Sequence, residues 1–256
     1  MFKKYFSIII VALVLVLSSC SKDSNPTNTP TETTYTGASV ALGNGTATCW
    51  VKMNTSGVPV QLGLSLSEGA LVSLPDTMAS YIVPLPSKAL VTGFNHISLD
   101  WNPMGHEPSA IYGLPHFDFH FYLISQEERM MITAMGSDTN NLYQNPGAGY
   151  LAAGYMLMPG TGVPMMGAHA LDVTSPELNG AKFTETLIYG YYKGSMVFVE
   201  PMITLEYLNS KPTLMKMVKM PAKFAKTGYY PSYVNVNFNS TNKNNMIILD
   251  SLQMKM

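Results

Sequence analysis

The chain is short of charge. Of its 256 residues, 15 are Lys or Arg and 16 are Asp or Glu, 12% in all with a net charge of -1. An ordinary soluble domain carries roughly 25%. Disorder along the whole chain is excluded, because that takes low hydrophobicity and high net charge, and 46% of this chain is apolar. Arginine is scarcer still, with Arg129 standing alone. A nucleic-acid-binding role is therefore set aside, since bidentate contacts to phosphate or guanine have almost no donor to make them. Cysteine occurs twice, as Cys20 and Cys49. No G-x-S-x-G is present, and Gly147-Ala148-Gly149-Tyr150 lacks the lysine and helix of a phosphate loop, so neither a nucleophile elbow nor a P-loop is expected. Internal repeats and sustained heptads are absent. No run of 18 apolar residues follows Leu17, so no later helix is expected to span a membrane.

What is present begins with an address. Lys3 and Lys4 precede the ten apolar residues Ile8 to Leu17, a run too short for a spanning helix and laid out like a secretory signal. It ends in Leu17-Ser18-Ser19-Cys20, which resembles the bacterial lipobox. In proteins of that kind the cysteine is lipidated and becomes the mature N-terminus. Residues 1–19 are thus read as a lipoprotein signal peptide and Cys20 as the lipidation site. The expected location is the cell envelope, outer membrane or cell surface, with the membrane as a partner through the lipid. Residues 20–36, rich in Ser, Thr, Asn and Pro, read as a flexible linker. With Cys20 carrying lipid, Cys49 has no disulfide partner and is expected in the core.

Seventeen Pro, twenty Gly and fifteen Tyr point to a mainly β or α+β fold, an antiparallel sheet or sandwich with few short helices. Ala38 to Leu42 and Thr46 to Met53 flank Gly43-Asn44-Gly45 and predict a hairpin. Val58 to Leu66 predicts a third strand and Ser67 the N-cap of a short helix over 68–74. Further strands are expected at Ile82 to Leu85, His96 to Trp101, Phe183 to Tyr192 and Met196 to Thr204. Ser125 to Met131 predicts one or two helical turns. Residues 37–210 read as a β-rich domain, and 211–256 as a C-terminal extension closing in a hairpin, Val234 to Phe238 with Met246 to Leu252. The lysines at 211, 216, 219, 223 and 226 read as a solvated face.

Pro115-His116-Phe117-Asp118-Phe119-His120-Phe121-Tyr122 alternates strictly. On a strand its phenylalanines face a core, and His116, Asp118, His120 and Tyr122 line the other face. His106 lies in Asn102-Pro103-Met104-Gly105-His106-Glu107-Pro108, and His169 follows Pro164-Met165-Met166-Gly167-Ala168. Imidazole with carboxylate suits a divalent transition metal, zinc first. The candidate ligands are His106, His116, Asp118, His120 and His169, with Glu107 and Glu200 as extra acids. His116 and His120 are about 13 Å apart on a strand and are not expected to share one ion, whereas neighbours two apart, about 6.6 Å, can. Thioethers beside these histidines make copper the second metal, although methionine also fills loops and cores. His96 is expected to serve structure alone.

Several of these strings together resemble an uncharacterised bacterial envelope domain family, found in lipoproteins and secreted proteins of Bacteroidetes and in a Thermus protein. They are Trp101 to Pro108, Pro115 to Tyr122, Gly167-Ala168-His169-Ala170-Leu171-Asp172 and Phe198-Val199-Glu200-Pro201-Met202-Ile203-Thr204. The resemblance covers roughly 37–208. It implies a fold relationship and marks the same histidines, without naming an activity.

Three functions are open at this point. One is a lipid-anchored extracytoplasmic protein with a His/carboxylate site for a metal or a small polar ligand. Another is a metal-dependent hydrolase or oxygenase on the same residues. The third is a structural envelope protein whose His/Asp face packs against copies of itself, forming a homo-oligomer.

Overall fold

Alternation decides most of this fold. The computed structural model describes residues 32–256. The expected signal peptide, the lipobox Cys20 and most of the linker lie outside the described residues. The first sheet contains β1 (Thr33–Leu42), β2 (Gly45–Met53), β3 (Pro59–Leu66), β11 (Thr213–Met217), β13 (Tyr233–Asn239) and β14 (Asn244–Asp250), in the order β1-β2-β3-β14-β13-β11. The second contains β4 (Ala79–Val83), β5 (His96–Asn102), β6 (His116–Tyr122), β7 (Tyr155–Leu157), β8 (Ala168–Asp172), β9 (Glu185–Tyr192) and β10 (Ser195–Thr204), in the order β4-β5-β6-β10-β9-β8-β7. A two-strand ribbon pairs β12 (Gly228–Tyr230) with β15 (Gln253–Lys255). Every ladder is antiparallel. The protein is mainly β.

Leu62, Leu64 and Leu66 of β3 and Phe117, Phe119 and Phe121 of β6 belong to one buried cluster. The two sheets thus pack face to face, and burying six such side chains contributes about 1.5–3 kcal/mol each. Cys49 lies in this core as a free thiol, its pKa pushed up by burial. The hairpin at Gly43-Asn44-Gly45 forms as expected. There Gly43 has a φ of +52°, and a Cβ would meet the Val72 carbonyl at 2.3 Å, so glycine is required.

Three expectations change. The linker ends early, because Thr33 to Thr36 already pair with Trp50 to Met53. Residues 211–256 are no extension, since β14 sits between β3 and β13 in the middle of the first sheet. The helix after Ser67 is a single 3-10 turn, Glu68–Leu71, without a side-chain cap. The turn after Ser125 is α2 (Gln126–Met130), closed by a capping box with Glu128. The other α-helices, α1 (Ser109–Tyr112), α3 (Thr139–Leu142) and α4 (Leu205–Asn209), are equally short.

Candidate metal centre

On the second sheet the face turned away from the core is covered too. Every residue of β5 and β6 is buried, beneath two apolar patches. One holds Ile124, Ile132, Leu142 and Phe198; the other holds Tyr112, Leu171, Phe183 and Met202. Between them runs a polar row. In register, Asn102 faces His116, Asp100 faces Asp118, Ser98 faces His120 and His96 faces Tyr122. Like charges directly opposite destabilise a sheet, so Asp100 and Asp118 need a positive neighbour. β10 adds Glu200, two residues from Met202, which faces Asp118.

Two histidines arrive from further away. His169 on β8 faces Gly190 of β9, which in turn faces Phe198 of β10. A Cβ at Gly190 would lie 2.1 Å from the Phe198 ring. The missing side chain lets Phe198 lie down there, and its ring packs 4.8 Å from that of His120 and 5.5 Å from that of His169. His106 comes from the β5–β6 connection. Gly105 turns the chain with a φ of +69°, where a Cβ would meet the Tyr112 carbonyl at 2.1 Å, and His106 N–H donates to that carbonyl.

The result is one motif built twice. Asp118 has His116 Nε2 3.1 Å from Oδ1 and His106 Nε2 3.6 Å from Oδ2. Glu200 has His120 Nε2 3.3 Å from Oε1 and His169 Nε2 3.9 Å from Oε2. In each triad one ligand atom per residue lies within 4.8 Å of the others. Two ligands of a tetrahedral zinc at its usual bond lengths stand about 3.3 Å apart. These two buried His/acid triads could hold a metal ion.

The other ring nitrogens fix the chemistry. His106 Nδ1 lies 2.8 Å from the Glu107 carbonyl, His116 Nδ1 2.6 Å from that of Leu114, and His169 Nδ1 2.7 Å from that of Thr161. A carbonyl only accepts, so each Nδ1 carries the proton and donates. Each Nε2 then presents a lone pair or a second proton to a carboxylate. Lone pair against carboxylate is repulsive, so a cation belongs between them: a proton or a metal ion. His120 faces acids with both nitrogens, because its Nδ1 is 3.0 Å from Asp100 Oδ2. That contact is out of line for a ring hydrogen bond, and both atoms stay unpartnered. Among the described residues, five of the twelve buried side-chain polar atoms without a hydrogen-bond partner lie here: Asp100 Oδ2, Asp118 Oδ1, both His120 nitrogens and Glu200 Oε2. Such atoms are costly to bury, and their concentration at one place marks it for a ligand.

Protonation offsets part of the row's charge in the metal-free protein. Burial alone would lower the His106 and His120 imidazoles, but Asp118 beside the first, and Glu200 and Asp100 beside the second, push both up to about 9. Burial, with Asp118 and Asp100 adding to it, lifts Glu200 to about 8 against the pull of His120. His169, desolvated and near His120, falls to about 4. Burial would raise Asp118 and Asp100, but the histidines beside them hold both below the usual carboxylate range. The raised histidines and the raised Glu200 both reduce the negative charge that the row would otherwise bury. A divalent ion would take the place of those protons.

His106, His116, Asp118, His120, His169 and Glu200 are brought together, and His116 and His120 fall in different triads. Glu107 is not part of the set: its exposed carboxylate accepts from the Ser109 N–H at 2.8 Å. Met104 points to solvent, 81% exposed, and gives the site no thioether. The His/Asp face is buried beneath the chain's own loops. His96 stacks on Tyr122 at 4.7 Å and bonds Asn95. Two functional residues were missed. Asp100 sits in an ordinary alternating strand, and Asn102, whose Nδ2 donates to Asp118 Oδ2 at 2.7 Å, appears in the sequence only as the start of the string that holds His106. The surface cleft lined by Tyr155, Glu185, Lys216 and Lys219 lies elsewhere. Its lysines are not free, since Lys216 pairs with Glu185 and Lys219 with Asp172.

A family model described as TTHB210-like, hypothetical protein TTHB210, matches residues 54–101. The match bears out the resemblance seen in the sequence, reaches from the turn before β3 to Trp101 on β5, and brings no activity with it. No curated protein and no solved structure matches the chain.

Proposed function

We propose that this is a lipid-anchored envelope protein that binds divalent transition metal, zinc before copper, on the covered face of its second sheet. One observation carries the metal reading. Four imidazole Nε2 atoms converge in pairs on two buried carboxylates, while three of the four Nδ1 atoms are held by backbone carbonyls. Outer partners that orient metal-bound histidines work in this way. Imidazole and carboxylate oxygen favour zinc. The anchoring part rests on Leu17-Ser18-Ser19-Cys20 behind its apolar run, and outer membrane or cell surface is the location that goes with it.

The test is metal content. A soluble form starting near Ser21, purified without a histidine tag, is assayed by elemental mass spectrometry beside a His116→Ala/His120→Ala variant. Near-stoichiometric metal, lost in the variant, is expected. No metal after reconstitution with zinc, copper, nickel, iron and manganese overturns the reading. For the anchor, a labelled fatty acid fed to cells should enter the full chain and not Cys20→Ala; equal labelling would refute it.

A second reading, a metal-dependent hydrolase or oxygenase, is favoured by the donor count. At His106, His116 and Asp118, two histidines and one carboxylate leave a position for water, substrate or dioxygen.

A further inference from the structure

We infer that the two triads hold two ions of different kinds, an inner one closed by protein and an outer one that keeps a coordination position open to a small anion. This rests on the metal-binding reading above and goes beyond it. The difference lies in the carboxylates. Asp118 Oδ2 already accepts from Asn102 Nδ2 at 2.7 Å, which weakens it as a metal donor beside the unpartnered Oδ1. With His116 and His106 the outer ion has three protein donors. Glu200 is committed to no amide. Its Oε2 is buried and unpartnered, and its Oε1 faces His120. Chelating with both oxygens, Glu200 gives the inner ion four protein donors together with His120 and His169. Closed four-donor shells are those of structural zinc, and three donors with a free position are those of catalytic zinc.

Access differs in the same sense. The outer triad ends in His106, whose side chain is 34% exposed on a loop. Of the inner ligands, His120 and Glu200 are at most 3% exposed and His169 is 14%, with the Phe198 ring packed against both histidines. Water and small anions therefore have a wider path to the outer ion, past His106, than to the inner one. The inner ion ties β8 to β6 and β10, and the outer ion ties the β5–β6 connection to β6.

The experiment uses the soluble chain loaded with zinc and then challenged with excess EDTA, the remaining metal being counted over time. Two ions per chain are expected, lost in two phases. The gap should be about tenfold or more, the size of effect that outer-shell contacts have on metal affinity. His106→Ala should remove the fast phase and keep the slow ion. In a cobalt-loaded sample of the unsubstituted chain, azide should shift the visible spectrum with a stoichiometry of one per chain, which needs no variant to fold. A single ion per chain, two ions leaving in one phase, or azide binding at both or neither would overturn this inference while leaving metal binding intact. Absence of any metal would overturn the earlier reading as well.

Discussion

The outer faces of the two sheets carry comparable polar rows and treat them in opposite ways. On the first sheet Asp250 accepts from Gln61 Nε2 at 3.0 Å and from Asn235 Nδ2 at 2.6 Å. Both donors are amides, Gln61 and Asp250 are half-exposed, and the atoms left without a partner along this row, Asn235 Oδ1 and Asn237 Oδ1, are uncharged amide oxygens. Its acid is satisfied by uncharged partners and asks for nothing more. On the second sheet three acids, Asp100, Asp118 and Glu200, are roofed by loops and face imidazoles. Several of their atoms have no aligned partner. A half-exposed row of amides around one acid is ordinary sheet surface. A covered one is unfavourable unless fully bonded, so a row that stays covered and incomplete points to an ion that completes it.

The sharpest way to break this contrast is to delete one charge on each sheet. His120→Ala leaves Asp100 and Glu200 facing an empty space and should cost the metal-free protein about 3–5 kcal/mol. Asp250→Asn should cost less than about 1 kcal/mol, as at a partly solvated hydrogen bond. Urea unfolding of both variants measures the difference, and equal losses would erase the distinction.

Zinc gives the next largest effect. At a free concentration a hundredfold above Kd it should stabilise the protein by about 2.7 kcal/mol, raising Tm in the unsubstituted chain and not in His116→Ala/His120→Ala. This gain should grow with pH. Zinc must displace protons from Glu200 near 8 and from His106 and His120 near 9, so affinity rises until those values are passed. Without metal the sign reverses for the two histidines. Their folded pKa is raised, so the stability they contribute is full below the unfolded value of about 6.5 and is lost as pH rises through about 9. Titrating Tm with and without zinc from pH 6 to 10 should show the curves diverging; parallel curves would exclude proton displacement.

Gly105→Ala comes third. Forcing a side chain into a left-handed turn against the Tyr112 carbonyl should cost about 1–3 kcal/mol and carry His106 off Asp118, so elemental analysis should find less metal. The smallest effect belongs to Asp138→Asn. Hydrogen bonds from Asn141 and Tyr192 hold this half-buried carboxylate below its usual range, and it also accepts from the Thr133 and Ala134 N–H groups. Its contribution is present above an unfolded pKa of about 3.9 and lost as pH falls further, and should be below about 1 kcal/mol. Acid unfolding of the variant beside the unsubstituted chain would show it.

Local pattern was legible in the sequence, and long-range placement was not. Phe117, Phe119 and Phe121 announced which way β6 faces, and Gly43-Asn44-Gly45 announced the first hairpin. Period-two alternation cannot say what lies over the polar side, so the burial of His116 and His120 under Ile132, Leu142 and Phe183 was invisible. Asp100 was missed because one acid in an alternating strand looks like any solvent-facing residue until its neighbour across the ladder is known. Glu107 was included because it adjoins His106 in sequence, yet a carboxylate one residue along a loop points where the turn sends it. The place of 211–256 in the first sheet depends on β14 pairing with β3 across nearly two hundred residues, which no local signal encodes.

That pairing has a consequence for how the protein comes into being. The edge of β3, with Leu62, Leu64 and Leu66 on its inner side, stays open until Asn245 to Asp250 arrive to pair with it. A chain emerging from its N-terminal end must therefore wait for nearly its last strand before either face of the core is sealed. Contacts so distant in sequence make folding slow, and an open apolar strand edge in the meantime invites pairing with other chains. Truncation before Asn244 would do more than trim the protein: it would hold it in that unfinished, adhesive state.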